Sequence, residues 1–145
     1  MKEYEILEHK ADLKIRAFGK TKEELFLNMM KGMISASRPK IKNQKSRQGR
    51  GLLKAANIKN FKIKSVDINA LLVDFLNECL YSSQVNREIY QKIEFRKFSD
   101  TELEYGVLGQ KVERFDEDIK AATYHGLDIK QNSRGLWQAE VIFDV

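Results

Sequence analysis

The sequence predicts an α+β fold, with two helices packed on one side of a largely antiparallel sheet of about six or seven strands. Two observations carry this. Residues 25–34 and 71–80 each place apolar side chains in pairs every four positions, and each stretch follows a residue suited to a helix N-terminus. Most of the remaining sequence alternates apolar and polar residues with the period of two that marks a strand. At 145 residues the chain is long enough for one domain with a real core, and 1–145 is read as a single domain.

Each element follows in turn. Residues 2–7 alternate, with Tyr4 and Ile6 on one face, and read as a strand. Leu13, Ile15 and Ala17 alternate up to Phe18-Gly19 and give a second. Between them Glu8-His9-Lys10-Ala11-Asp12 is a short polar connection, so a hairpin is the simplest reading. Thr21 with Glu24 three residues on is a capping box. Its helix carries Leu25, Phe26, Met29, Met30, Met33 and Ile34 and ends near Ser37, before Pro39. A stripe rich in Met suits an adaptable groove, but it is more often core, and core is the reading adopted.

Residues 38–64 differ in kind. Arg38, Lys40, Lys42, Lys45, Arg47, Arg50, Lys54, Lys59, Lys62 and Lys64 occur there without a single acid. A basic loop over about 38–57 is expected, closing into a strand at 58–66 on which Phe61 and Ile63 point the same way. Asp67 suits the positive end of the second helix. Leu71, Leu72, Phe75, Leu76, Cys79 and Leu80 form its stripe, which makes Cys79 a small buried hydrophobe rather than a nucleophile. Further strands are expected at 89–98, with Ile93 and Phe95 on one face, and at 103–109. A polar connection at 114–118 leads to a strand at 119–129 carrying Tyr124 and His125. The turn Asn132-Ser133-Arg134-Gly135 opens the last strand, 136–143.

Composition narrows the function classes. Lys and Arg number 26 against 21 Asp and Glu, a formal charge of +5, with a pI near 9.2. That makes RNA or an acidic partner plausible without identifying either. One Cys and two His cannot form a zinc finger or an internal disulfide. No apolar run is long enough to span a membrane, and the first residues read as a charged strand rather than a signal peptide. The expected location is the cytoplasm. Asp144 ends the last strand beside the terminal carboxylate of Val145, and clustered carboxylates repel unless a cation, an Arg or Lys partner, or solvent offsets them.

Four ordered pieces of sequence resemble the archease family. Tyr4-Glu5 with Glu8-His9-Lys10-Ala11-Asp12, then Gly19 and Glu24-Leu25-Phe26, is similar to the family's opening. Asp67 through Leu71-Leu72-Val73-Asp74-Phe75-Leu76-Asn77-Glu78 resembles its second helix. Lys120-Ala121-Ala122-Thr123-Tyr124-His125-Gly126-Leu127 and Phe143-Asp144-Val145 resemble its last hairpin. Only 38–57 stands outside the match. Lys10 occupies a position that usually holds Thr or Ser, which places a cation near Asp12.

The resemblance implies an archease-like fold and a non-enzymatic activator of an RtcB-type RNA ligase. Such an activator promotes guanylylation of the ligase's active-site histidine and multiple turnover in tRNA splicing and RNA repair. It also implies a divalent metal, calcium or magnesium, held by Asp12, Asp144 and Val145. The expected partners are the ligase and, through it, tRNA or other RNA. Taken without the resemblance, Asp12 is as well read as a turn-stabilising residue. Three other classes compete: an RNA-binding module using 38–64, a hydrolase using His9 or His125 with Asp12, and an interaction domain with no cation at the aspartates. The hydrolase lacks a Ser or Cys nucleophile in a recognisable setting. The RNA module has only Phe61 interleaved with its charges, too little for base stacking.

Overall fold

The computed structural model describes residues 2–8, 12–41 and 58–145. In chain order these form β1 (Tyr4–Glu8), β2 (Asp12–Gly19), α1 (Lys22–Ala36), β3 (Pro39–Ile41) and β4 (Ile58–Lys64). There follow α2 (Ile68–Asn86), β5 (Glu88–Phe98), β6 (Glu102–Phe115), β7 (Ala121–Thr123), β8 (Lys130–Gln131) and β9 (Trp137–Asp144). The class is the α+β one that the pattern predicts, with both helices packed on antiparallel sheet. The strand count differs. Nine strands occur among the described residues, in two sheets. One is five-stranded in the order β1-β2-β9-β7, with β8 also on β9; the other is four-stranded, with β3, β4 and β5 all pairing with β6.

Local chemistry sets both helix starts. The Thr21 hydroxyl accepts from the Glu24 amide at 3.0 Å, and the Glu24 carboxylate accepts from the Lys20 amide at 2.8 Å. Two otherwise orphaned donors are thereby satisfied. Gly19 is required beside this cap, because a Cβ there would lie 2.4 Å from the Leu25 nitrogen. Asp67 caps α2 by accepting from the Ala70 amide at 2.8 Å.

The two stripes become one core. Leu25, Phe26, Met29, Met30 and Met33 of α1 are fully buried and share a cluster with Ile15, Ala17, Ala139, Val141 and Phe143 of the five-stranded sheet. Leu71, Leu72, Phe75 and Leu76 of α2 join Leu103, Tyr105 and Val107 of the other sheet. Phe75 links the layers, with ring centroids 5.7 Å from Phe26 and 5.2 Å from Tyr105. Cys79 lies within this core, and burial pushes its thiol up to about 12, which keeps it protonated and inert.

Three expectations about the chain path need correction. Residues 119–129 are not one strand: β7 ends at Thr123, and a turn follows in which the Leu127 amide donates to the Tyr124 carbonyl and Gly126 takes φ +68°. β6 runs past Gly109 to Phe115, because Gly109 makes room for the buried Glu88 carboxylate rather than breaking the strand. Part of the segment read as a loop is strand: β3 pairs with residues 112–115. The rest of that basic loop, 42–57, lies outside the described residues, as do His9 and Lys10.

Candidate functional site

β9 lies between β2 and β7, and its last rung is Asp144. In the β2–β9 register Asp12 is directly opposite Asp144, and on the other edge Ala121 of β7 is. Directly opposed residues share a face with Cβ atoms about 5 Å apart. Alternation fixes which face. Ala139, Val141 and Phe143 are buried inward, so Asp144 points outward with Glu140 and Ile142, and Asp12 points outward with Lys14 and Arg16. Both aspartates are exposed. The structure therefore brings together two carboxylates from opposite ends of the chain.

Nothing in the described residues neutralises them. Neither carboxylate has a hydrogen-bond or ion-pair partner there. Lys14, the nearest outward cation on β2, instead reaches Glu140 at 3.7 Å. Glu140 also accepts from Arg16 Nε at 2.6 Å, and this bond holds its carboxyl below the usual range. Like charges opposed across a strand pair are destabilising, so the Asp12–Asp144 rung carries a repulsion that an added cation would relieve. No cluster of three or more His, Cys, Asp or Glu side chains able to hold a metal occurs among the described residues. The donors at this rung are two carboxylates, with main-chain oxygens of Asp144 and Val145 nearby in sequence. An all-oxygen set of few protein ligands fits a hard divalent cation that keeps several waters.

One positioning residue escaped the sequence reading. The Asn77 side chain of α2 donates to the Ala122 carbonyl at 3.2 Å and accepts from the Ala122 amide at 2.7 Å. Its amide takes the place of a further strand on the free edge of β7 and holds that strand against β9. The Lys120 amide then donates to the Asp144 carbonyl at 2.8 Å. In the sequence Asn77 figures only within the second-helix resemblance, as a polar residue adjoining the stripe, with no role assigned. His125, the described member of the hydrolase alternative, is exposed in the turn after β7 with no hydrogen bond among the described residues. Of the basic segment, Lys40 pairs with Asp116 at 3.6 Å, Lys59 with Glu88 at 2.8 Å and Lys64 with Glu102 at 3.4 Å, which leaves less free charge for phosphates.

The fold and the paired termini define a small α+β protein whose polar rung joins its first turn to its last strand. Residues 4–145 match the archease protein family, and the chain belongs to it. It is 32% identical to the archease of Methanosarcina barkeri over 99% of this chain and 97% of that protein. The archease of Pyrococcus furiosus is 28% identical, with 100% of both chains covered. The solution structure of protein 1598 of Methanobacterium thermoautotrophicum superposes with a TM-score of 0.70 at 27% identity, covering all of both chains. The crystal structure of an archease from Thermotoga maritima, described as a possible chaperone, gives 0.62 at 19% identity over 100% of this chain and 98% of that one, a likeness of fold alone. Family membership supports a general role as an RNA-ligase activator, in a family that is generally non-catalytic and partners RtcB-type ligases.

Proposed function

We propose that this protein activates an RtcB-type RNA ligase by promoting guanylylation of the ligase's active-site histidine, with a divalent cation held at the Asp12–Asp144 rung. The observation that carries the reading is the opposition of two exposed carboxylates with no compensating cation among the described residues. Asp12, Asp144 and the main-chain carboxylate of Val145 would hold calcium or magnesium. A cation held by these residues would supply positive charge to offset a nucleotide's phosphates during attack by the ligase's histidine. The chain's own part is positional. β2 and β9 set the spacing of the two aspartates, and Asn77 fixes the strand that flanks them.

The test is calorimetric titration of wild type, Asp12→Ala and Asp144→Ala with calcium and magnesium, beside a pulse-guanylylation assay on the ligase. Wild type binds the cation and stimulates guanylylation; both variants lose the two together. Should both variants stimulate as well as wild type, the metal reading fails. A salt-sensitive shift of tRNA by this protein without ligase would favour the RNA-binding module instead.

A further inference from the structure

Beside the aspartates lies a cleft of about 600 Å³ whose walls include Ile6, Leu13, Ile119, Arg38, Glu117 and Asp118. Leu13 follows Asp12 in sequence, and Val145, which also lines the cleft, follows Asp144. The cleft thus lies at the same end of the five-stranded sheet as the carboxylate rung but on its inward face, which Ile6 and Leu13 share with Ile15. We propose that it is the docking socket for the partner ligase, and that it takes an apolar side chain of the partner flanked by a Lys or Arg. This rests on the activator reading above.

Three observations lead there. The apolar floor is incompletely covered, with Ile6 39% and Val145 52% exposed. The rim charges are unpartnered: among the described residues no hydrogen bond or ion pair engages the side chains of Arg38, Glu117 or Asp118. Their neighbour behaves differently, since Asp116 takes both Arg114 at 2.8 Å and Lys40 at 3.6 Å. The rim is also fixed in place. Arg38 sits in the left-handed region at φ 49°, its amide donating to Ser35 O at 3.2 Å and its carbonyl accepting from the Asp116 amide at 3.0 Å. A preformed rim reduces the ordering cost of association.

Charge selects the occupant. Among the described residues that line it, Glu117 and Asp118 face one guanidinium, so that part of the rim is acidic on a protein of net charge +5. A free phosphate compound is repelled there, whereas a cation-bearing segment is drawn in. An apolar pocket ringed by polar groups is also the usual seat of an interface anchor.

The experiment measures ligase binding by biolayer interferometry at saturating magnesium, using the full chain. Ser35→Phe fills the cleft from an exposed position on its wall, and Glu117→Lys with Asp118→Lys reverses the rim. Each is expected to weaken binding at least tenfold while melting within a few degrees of wild type. Val85→Lys, at an exposed site on α2, is expected to bind as wild type does. If wild type binds and both cleft variants stay within threefold of it, the socket is overturned and the activator reading stands. If wild type itself does not bind the ligase, the activator reading falls and the socket with it. A dimer of this protein that Ser35→Phe dissolves, with ligase binding unchanged, would assign the cleft to a second copy of the chain and overturn the proposal.

Discussion

Glu140 and Asp144 stand on the same strand and the same outward face, yet their surroundings differ in kind. Glu140 is opposed by Arg16 in the register and is bonded to it, with Lys14 added. Asp144 is opposed by another aspartate. The first arrangement relieves its own charge and so contributes to the fold. The second leaves its charge uncompensated among the described residues. On one sheet face, the identity of the residue across the strand decides whether a carboxylate's charge is offset or opposed.

The sharpest way to break this comparison is to remove each carboxylate in turn. Asp144→Ala is expected to lower calcium and magnesium affinity at least tenfold and to abolish stimulation of guanylylation, whereas Glu140→Ala keeps both; calorimetry and the guanylylation assay read them out. Asp144→Asn without metal should melt at or above the wild-type temperature, because it removes a like-charge opposition. Next in size is Asn77→Ala, which strips β7 of its bonded edge. A loss of about 1–3 kcal/mol is expected in urea unfolding, together with weaker metal binding from an unsupported rung. Metal affinity unchanged in folded Asn77→Ala would show that β7 needs no clamp.

Cys79→Ser tests the core behind the site. A hydroxyl in that apolar setting should cost about 1–3 kcal/mol if it finds no partner, while activation per folded molecule survives. In the wild type the raised thiol predicts negligible iodoacetamide labelling of native protein at pH 8 and rapid labelling in urea. The smallest effect belongs to the Arg16–Glu140 pair. Both side chains are 35% exposed, so screening limits a double-mutant-cycle coupling to about 1 kcal/mol or less. Arg16 lowers the folded pKa of Glu140 below its ordinary 4.5. The contribution is therefore fully present above 4.5 and is lost as pH falls through the depressed folded value. Thermal melts from pH 6 to pH 2 should converge with those of Arg16→Ala at the acid end.

What the sequence disclosed was local. Thr21 with Glu24, Asp67, and the two four-residue stripes are written within single turns of helix, and they place both helices. The alternation of Leu103, Tyr105 and Val107 likewise shows its buried face without help from partners. Long-range pairing was harder to read. Pro39 and Ile41 show no strand pattern of their own and become β3 only by pairing with the far end of β6. Ile119 is buried like a strand residue but precedes β7, and the left-handed Gly126 ends what alternation alone would continue. Asp144 raised the question of its opposite number from sequence, and the register answers with Asp12. The cleft had no signal at all, since Ile6, Arg38 and Asp118 meet only in three dimensions.

The position of β9 also bears on the timing of assembly. It is the last strand of the described chain, and it lies inside its sheet, between β2 and β7. Until it inserts, β2 lacks a neighbour on one edge, β7 lacks its strand partner among the described residues, and Asp12 has nothing opposite. During synthesis the first two strands emerge long before the one that separates them from β7. The rung of aspartates is therefore among the last features of this sheet to form, and a nascent copy without β9 lacks the opposition of Asp12 and Asp144.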